Sequence, residues 1–400
     1  MPEPQFRTLD DMPADLTGQR VLVRVDFNVP VDDQDRITDD TRIRGALPTL
    51  RELGDRGARV VVMSHRGRPK GWGGASLEGA AERLGELLHR PCHFVDDITG
   101  HKAREAVAAL QPGEYLVLQN LRYDPGEKSQ DAHFARALAE LGDWYVNDAF
   151  GTAHRADASV ALLPRLIPGY AGRLMERELK ALSVLQEGAA HPYWAVIGGS
   201  KVSDKVGLLG ALLSRVDGLI IGGGMANTFL AAQGYNMGAS RVEADALATA
   251  RDILAKAQAK GIPVLLPEAV VAAQGFRPDA PSRVVPPGEL GAEEMALDIA
   301  PEAVDRMLAA VSQAKTIFWN GPMGVFEWKA FSQGTMRMAQ GLAALSAHVV
   351  VGGGDSVAAV TEAGVQDRLA HVSTGGGATL ALLEGQTLPG IQALTESVEG

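Results

Sequence analysis

The sequence predicts an α/β protein made of two doubly wound, Rossmann-like domains with parallel sheets, joined by a hinge helix. Short apolar, β-branched segments such as 20–26 and 59–64 recur along the chain and lack polar alternation, which is typical of strands buried on both faces. Ala- and Leu-rich segments with helical spacing, such as 77–90 and 131–142, lie between them. This alternation favours parallel sheets covered by helices on both faces. At 400 residues, the chain is also longer than one hydrophobic core usually supports.

The segment 173–188 is the most plausible place for a domain boundary, because it has the pattern of one charged amphipathic helix between two runs of strands. We expect an N-terminal domain over 1–174, an interdomain helix over 175–190 and a C-terminal domain over 191–384. An ordinary surface helix of a single domain is the alternative interpretation. The halves differ chemically: residues 1–190 carry 24 of the 38 Lys and Arg residues, whereas glycine clusters concentrate after residue 197.

Composition excludes several classes of partner. The net charge of −11 argues against a nucleic acid or an acidic membrane surface, which would require an excess of Lys and Arg. Cys92 is the single cysteine, so no intrachain disulfide is possible, and a reducing cytoplasm is expected. Neither a secretory signal pattern nor an apolar run of bilayer length is present. We expect a cytoplasmic monomer that acts on small molecules.

Basic and polar side chains follow the predicted strands of the first half. In open parallel sheets, ligands bind beyond the carboxyl ends of the strands. Guanidinium groups form paired, charge-assisted hydrogen bonds with carboxylate and phosphate oxygens. Any one of these arginines alone would be typical of a solvated surface, but together they predict a site for a small, multiply charged anion. The residues are Asp26, Asn28, Arg42, His65, Arg68, Arg122 and Arg155.

The predicted strands of the second half end in glycine-rich turns, at 198–205, 222–229, 320–327, 352–356 and 375–379. Glycine allows backbone N–H groups to approach phosphate oxygens, and the helices that follow add a favourable dipole. Lys201 and Lys205 are four residues apart, so on a helix they would share a face and could both contact phosphates. Asp355 is a suitable oxygen ligand for nucleotide-bound Mg²⁺, although a helix N-cap is its alternative role. Tight packing explains a single glycine cluster equally well, but five of them favour a nucleotide site.

Several familiar signatures are absent from the sequence. It contains no G-x-x-x-x-G-K-[ST] and no G-x-G-x-x-G, which argues against a P-loop enzyme and weakens a dinucleotide-binding hypothesis. C-x-x-C and G-x-S-x-G are also missing, and the histidines are scattered. Cys92 has the surroundings of a buried strand residue rather than of a nucleophile.

Long motifs in this chain resemble those of the phosphoglycerate kinases, over nearly its whole length and in the family's order and spacing. The motif at 147–159 is essentially private to that family. The motifs are RVDFNVP (24–30), ITDDTRI (37–43), SHRGRP (64–69), QNLRY (119–123), NDAFGTAHRADAS (147–159), GGSKVSDK (198–205), GGGMANTF (222–229), GPMGVFE (321–327) and GGGDS (352–356).

The resemblance implies reversible transfer of a phosphoryl group between 1,3-bisphosphoglycerate and ADP, which gives 3-phosphoglycerate and ATP. The seven basic-half residues named above would bind the acid, Asp355 would bind Mg²⁺, and the tail 385–400 would pack on the N-terminal domain. Arg42, Lys201 and Lys205 would be catalytic. The nucleotide would be bound by Lys205, Asn320, Glu327, Gly353, Gly354, Asp355 and Ser356.

The chain departs from the family pattern at Gln119, Asp157, Asn227 and Ala269, where Glu, His, an aromatic residue and Asp are usual. The implied chemistry needs no general base, because a carboxylate leaves without a proton. We therefore expect His65 to bind substrate, and domain closure about 173–188 to unite the two half-sites and exclude water. Two alternatives stay open: a nicotinamide-dependent dehydrogenase and a non-catalytic, two-domain anion-binding protein.

Overall fold

A computed structural model describes residues 5–400 of the chain and divides it into two compact units. The first unit contains the described residues up to Lys180 together with Thr387–Gly400, and the second contains Ala181–Gln386. Each unit is built around a six-stranded sheet in which all strand pairs are parallel. The prediction of two doubly wound α/β domains is confirmed.

Strands and helices alternate in the first unit as expected for βαβ connections. The helix α5 continues across the boundary at Lys180 into the second unit. The elements are β1 (Arg20–Arg24), α1 (Thr41–Asp55), β2 (Arg59–Met63), α2 (Glu78–Leu88), β3 (Cys92–Phe94), α3 (His101–Ala109), β4 (Tyr115–Val117), α4 (Ala132–Ala139), β5 (Trp144–Asn147), β6 (Gly169–Ala171) and α5 (Arg173–Gln186).

The strand order of the first sheet creates a crevice at the end of β1. The order is β3-β4-β2-β1-β5-β6, so the chain leaves β1 towards one side and later returns on the other. Arg24, the last residue of β1, lies opposite Met63 of β2 and Asn147 of β5. The residues that follow these three strands therefore meet at one edge of the sheet, where ligands bind in this class of fold.

The second unit has the same architecture with one addition. Its elements are β7 (Tyr193–Ile197), α6 (Val206–Leu212), β8 (Gly218–Ile221), α7 (Gly223–Ala232), α8 (Leu247–Ala259), β9 (Val264–Leu265), β10 (Val270–Ala273), β11 (Ser282–Val285), β12 (Met295–Ile299), α9 (Pro301–Ala310), β13 (Thr316–Asn320), α10 (Gln333–Ala343), β14 (His348–Gly352), α11 (Gly354–Glu362), β15 (His371–Val372) and α12 (Gly377–Leu383). The strands β11-β10-β12 form a separate antiparallel sheet that the sequence patterns did not reveal.

In the second parallel sheet, the order in which strands are added reverses between β7 and β13, although these two strands are parallel. Its order is β15-β14-β13-β7-β8-β9, and Asn320 at the end of β13 lies opposite Ile197 of β7 and Gly352 of β14. The glycine-rich turns that follow β7, β13 and β14 consequently lie at one edge of the sheet. This edge is the second place where the topology favours a ligand.

The last helix, α13 (Pro389–Thr395), belongs to the first unit. The N–H of Gly390 donates to the carbonyl of Ala153 at 2.8 Å, and Arg165 pairs with Glu396 at 2.6 Å. A Cβ on Gly390 would come within 2.8 Å of Val160, so this contact requires glycine. The tail therefore packs closely on the segment that follows β5.

Details of several elements differ from the sequence patterns. The helix α1 continues through Pro48. Cys92 lies in the edge strand β3 and is only partly buried, but this burial is enough to raise the pKa of its thiol to about 12.

Over residues 5–400, no helix combines the length and apolar character needed to cross a bilayer.

Candidate functional site

Four arginines converge on one buried histidine in the first unit, and we call this group the basic site: Arg24, Arg42, His65, Arg122 and Arg155. His65 follows β2 and is 3% exposed. Its burial and the positive charges of the four guanidinium groups lower its pKa to about 2. Charges act this strongly only at short range in a partly buried setting. The charges of Arg42, Arg122 and Arg155 thus all act on the same buried imidazole, and their part in binding a ligand stays a prediction.

Arg24 forms the floor of the basic site and was not among the candidate residues. Its side chain is fully buried and donates to Ser159 Oγ at 2.8 Å and to His65 Nδ1 at 3.0 Å. Ser159 Oγ in turn donates to the buried carboxylate of Glu127 at 2.6 Å, and Glu127 lies 3.9 Å from Arg24. One buried carboxylate thus offsets part of the positive charge beneath the site.

The contact with Arg24 determines which nitrogen of His65 carries the proton. A guanidinium can only donate hydrogen bonds, so Nδ1 of His65 must accept. The neutral imidazole then holds its proton on Nε2. With a pKa near 2, His65 is neutral at physiological pH and is a weak base.

Asp26 and Asn28 hold the surrounding chain in place. Arg42, in the first turn of α1, donates to the carbonyl of Asn28 at 2.7 Å and lies 3.4 Å from Asp26 Oδ1. The side-chain oxygen of Asn28 accepts the N–H of Gly67 at 2.8 Å, which ties the loop after β2 to the loop after β1. These contacts orient Arg42 without burying it, because its side chain is 39% exposed.

Arg122 carries the clearest sign of an anion site. One terminal nitrogen donates to the carbonyl of Gly67 at 2.8 Å, whereas Nε and the other terminal nitrogen are buried and have no partner among residues 5–400. Burial and the neighbouring Arg155 lower the pKa of Arg122. Buried guanidinium donors are costly unless a ligand accepts from them.

Two predicted residues lie at the periphery of this group. Arg155 follows the turn after β5 and is exposed, yet it is close enough to act on His65 and Arg122. Arg68 is exposed in the loop after β2 and makes no hydrogen bond or ion pair with any residue that the structure describes. Its place in the site stays a prediction.

Two of the departures from the family pattern lie around the basic site. Gln119 accepts from the N–H groups of Leu77 and Asn120 and donates to Asp96 at 2.9 Å, which is a structural role. Asp157 is buried, and one of its oxygens has no partner in the described chain. Its negative charge acts on Arg122 and on His154 and opposes the fall in their pKa values.

A cavity of about 540 Å³ lies within the second unit, and we call it the glycine-lined cavity. The turns that follow β7, β8, β13 and β14 all contribute to it, as the glycine pattern predicted. Its volume is in the range of sites that hold a small molecule. Its polar lining includes Gly199, Ser200, Asp204, Lys205, Asn227, Arg241, Asp298, Asn320, Gly321, Glu327, Gly353, Gly354, Asp355 and Gly376.

The expectation that Lys201 and Lys205 share one face of a helix is wrong. Helix α6 begins only at Val206, and the preceding turn is closed by a hydrogen bond from the N–H of Lys205 to the carbonyl of Val202 at 3.0 Å. Lys205 lines the cavity, bonds through Nζ to the side-chain oxygen of Asn320, and has a pKa lowered by burial. Lys201 is exposed on the turn.

The turn 352–356 brings backbone and carboxylate groups to the cavity. Gly353 has φ of +97°, which favours glycine, and α11 begins directly after it. Asp355 lies in the first turn of α11 and is exposed to the cavity, whereas Ser356 is buried and accepts the N–H of Gly321 at 2.7 Å. The Ser356 side chain therefore holds the loop after β13, and Glu327 lies exposed at the cavity edge.

The carboxylates around the cavity fit a cation that arrives with its ligand. Asp204 and Asp355 both line the cavity, but no cluster of three or more His, Cys, Asp or Glu side chains within residues 5–400 forms a metal cage. Mg²⁺ in nucleotide sites is held by one or two carboxylates together with phosphate oxygens and water. The donor set therefore suits nucleotide-bound Mg²⁺.

The apolar part of the cavity was not predicted, because it comes largely from the antiparallel sheet and its flanking loops. Phe276 packs against Trp328 with ring centroids 4.5 Å apart, and the Arg241 guanidinium lies 5.7 Å above the Phe276 ring. Asn227 of α7 also lines it, whereas Ala269 packs partly buried against the core and its carbonyl accepts from Ala300. The apolar lining includes Pro267, Val270, Phe276, Met295, Ala296, Leu297, Ile299, Pro322, Met323, Val325 and Leu380.

Comparisons with known proteins agree with this arrangement. A family model described as phosphoglycerate kinase matches residues 9–386. The phosphoglycerate kinase of Chloroflexus aurantiacus is 50% identical over 398 residues, which cover 98% of this chain and 99% of that protein, and the one of Moorella thermoacetica is 51% identical over 391 residues, which cover 97% and 99%.

Solved structures give the same result. The phosphoglycerate kinase of Coxiella burnetii has a TM-score of 0.86 at 40% identity and covers 98% of this chain and 99% of its own. The enzyme of Pyrococcus horikoshii has a TM-score of 0.88 at 31% identity and covers 98% of both chains. The chain therefore belongs to the phosphoglycerate kinase family and is a phosphotransferase of glycolysis.

Proposed function

We propose that this enzyme transfers a phosphoryl group reversibly between 1,3-bisphosphoglycerate and ADP, with the acid on the basic site and the nucleotide in the glycine-lined cavity. The observation that supports it most is Arg122, whose two buried nitrogens lack a partner within the described chain. Such donors suit the oxygens of a small dianion. The positive charge of the basic site suits the small acid, and the glycine-rich backbone around the cavity suits the phosphate chain of the nucleotide.

The acid would be held by side-chain charge. Arg122 and Arg155 offer guanidinium donors, and neutral His65 offers Nε2–H, so a phosphate or carboxylate can be bound without any change in protonation. Arg68, exposed on its loop, would add a further contact. Asp26 and Asn28 would act mainly through Arg42, whose orientation they fix.

The nucleotide would be held mostly by backbone groups. The N–H groups of Gly353 and Gly354 lie at the start of α11 and suit phosphate oxygens, and Lys205 and Asn320, which bond to each other, line the same cavity. Asp355 would hold Mg²⁺, which neutralises charge on the phosphate chain. Glu327 would contact the ribose, and Ser356 would act through the loop that it anchors.

The transfer step requires cations rather than a proton carrier. The leaving group is a carboxylate, which departs without a proton, and negative charge spreads over the three equatorial oxygens of the moving group. Arg42 and Lys201 would stabilise this charge, with Lys205 at the nucleotide side. A neutral His65 with a pKa near 2 is consistent with the absence of a general base.

Direct transfer requires the two bound ligands to approach each other, so turnover would involve closure about the helix α5 and exclusion of water. We further propose that the enzyme is a monomer and acts in the cytoplasm. Small molecules are its only substrates in this scheme.

A coupled assay with 3-phosphoglycerate and Mg-ATP tests the proposal, and we expect turnover at a rate typical of kinases. Well-folded protein without turnover would overturn it. Calorimetry separates the alternatives: binding of NAD would favour a dehydrogenase, and binding of 3-phosphoglycerate without transfer would favour an anion-binding protein.

A further inference from the structure

The side chain of Asn227 is a buried amide at the apolar part of the glycine-lined cavity. It lies on α7, one helical turn beyond Gly223 and Gly224, and is 4% exposed. The cavity lining to which it belongs includes Phe276, Leu297 and Val325, which offer no side-chain hydrogen bonds, and the guanidinium of Arg241 lies over the Phe276 ring. A buried amide in such surroundings needs partners of its own.

The contacts of Asn227 determine how its side-chain amide is oriented. Nδ2 lies 3.4 Å from the carbonyl oxygen of Arg241 and 3.5 Å from that of Ala296. Because both neighbours are acceptors, the NH₂ group must point towards them. The amide oxygen therefore points away from these carbonyls, and it accepts no hydrogen bond from any residue within 5–400. It is an acceptor available to a ligand.

We propose that the amide oxygen of Asn227 reads the edge of the nucleobase and selects a purine that carries an amino group at C6. The inference rests on the proposed function, since it assigns base specificity within the nucleotide cavity. Adenine offers the C6 amino group as a donor, whereas hypoxanthine presents an acceptor oxygen there. An acceptor facing an acceptor leaves two polar groups unpaired in an apolar setting.

A purely structural role for Asn227 makes a different prediction. The two contacts through Nδ2 are at the long end of the hydrogen-bond range, so they stabilise the position of α7 only weakly. Loss of such contacts would change the affinity for all nucleotides alike. Selectivity for one substituent of the base would arise only from the oxygen that faces the ligand.

The test compares kcat/KM for Mg-ATP, Mg-ITP and the Mg complex of purine riboside triphosphate, which lacks any substituent at C6. With 3-phosphoglycerate saturating, we expect wild-type enzyme to use purine riboside triphosphate about tenfold less well than ATP, the effect of one lost hydrogen bond. ITP should be used less well again. In Asn227→Leu, which has a similar volume and no acceptor, the three values should become nearly equal.

Phe276→Leu is the matched control, because it reduces apolar contact with every base and leaves the C6 edge untouched. It should raise KM for all three nucleotides and preserve their ratios. If Asn227→Leu kept the wild-type preference, or if wild-type enzyme did not distinguish ATP from purine riboside triphosphate, the inference would be wrong. Absence of turnover with ATP itself would instead contradict the proposed function.

Calorimetry on the wild-type protein keeps the inference testable if Asn227→Leu does not fold. Titration with ADP, IDP and purine riboside diphosphate should give the same order of affinities as the kinetic assay. Equal affinities would overturn the inference independently of any variant. Asn227→Ala, which removes the amide and leaves only a small cavity, provides a second variant for the same comparison.

Discussion

The basic site and the glycine-lined cavity, which we propose as the two sites for phosphorylated ligands, are built in opposite ways. In the basic site, burial and the surrounding guanidinium groups together lower the pKa of His65 to about 2, and the buried Glu127 lies 3.9 Å from Arg24. The cavity uses turns of the backbone and a single partly buried lysine, Lys205. The basic site therefore relies on charged side chains, whereas the cavity relies on the conformation of its backbone turns.

This difference follows from the ligands proposed for the two sites. A three-carbon acid with a phosphate is small and highly charged, so a few fixed cations can surround it. A nucleotide is extended and has an apolar base, so backbone donors at one end and apolar side chains at the other are needed. We therefore expect substitutions in the basic site to alter binding of the acid or the rate of phosphoryl transfer. Substitutions in the cavity should alter the affinity for the nucleotide.

The largest effect is expected from Arg42→Ala. Arg42 is half-exposed and held by Asn28, so its loss should leave the fold intact and remove stabilisation of the moving phosphoryl group. We expect kcat to fall by about 10² to 10³-fold. Arg44→Ala is the matched control, since Arg44 lies on the same helix, is exposed and pairs with Asp40. Equal losses in both variants, measured with 3-phosphoglycerate and Mg-ATP, would contradict a specific role for Arg42.

Arg122→Met separates binding from stability at the same site. Removal of two buried, unpartnered donors should raise the melting temperature of the ligand-free enzyme by about 2 °C, because an unpaired buried charge is costly. Affinity for 3-phosphoglycerate should fall about 100-fold. Arg136→Met, which changes an exposed arginine of the same unit, should do neither. Calorimetry and thermal melting measure both quantities, and a lower melting temperature for Arg122→Met would show that its donors are satisfied.

A smaller effect is expected in the cavity from Asp355→Ala. This change removes the carboxylate proposed to bind Mg²⁺ and should raise KM for Mg-ATP about tenfold, since other donors remain. Affinity for 3-phosphoglycerate should not change. Asp367→Ala, at an exposed position of the same unit, is the control. Weaker binding of 3-phosphoglycerate to the Asp355 variant would break the proposed division between the two sites.

The two sites also differ in how much of them the sequence could reveal. The glycine turns and the arginines that follow strands were predictable, because parallel sheets gather the carboxyl ends of their strands at one edge. Arg24 was missed although it is a charge inside an apolar strand, since nothing local indicates that Ser159 and Glu127 lie beneath it. These partners are more than 100 residues away along the chain.

The apolar part of the cavity was less predictable still. The strands β10, β11 and β12 are short, contain Ala and charged residues, and show no clear alternation. The lysine prediction failed because a spacing of four residues implies a shared face only within a helix, and Lys201 precedes α6. Helix starts depend on local turn geometry, which the sequence pattern does not specify closely.

Each unit contains a buried carboxyl, Asp148 in the first and Asp298 in the second, and burial raises the pKa of both to about 7. Asp148 accepts the N–H of Leu174 through one oxygen, and its other oxygen has no partner among residues 5–400. Asp298 accepts backbone N–H groups through both oxygens, from Ile299 and from Gly334, each at 2.9 Å. An amide could therefore replace the first carboxyl more easily than the second.

We expect Asp148→Asn to raise the melting temperature at pH 8 and to match wild type at pH 4. A carboxyl whose pKa is raised by folding binds more protons in the native state between about pH 4 and pH 7, so the wild-type free energy of unfolding falls as the pH rises through this window. The neutral amide removes that loss. Asp298→Asn should instead lower the melting temperature at both pH values, because its NH₂ group would face a backbone N–H. Thermal melts at pH 4 and pH 8 check both variants. If the difference in melting temperature between Asp148→Asn and wild type were the same at both pH values, the Asp148 carboxyl would not be the titrating group.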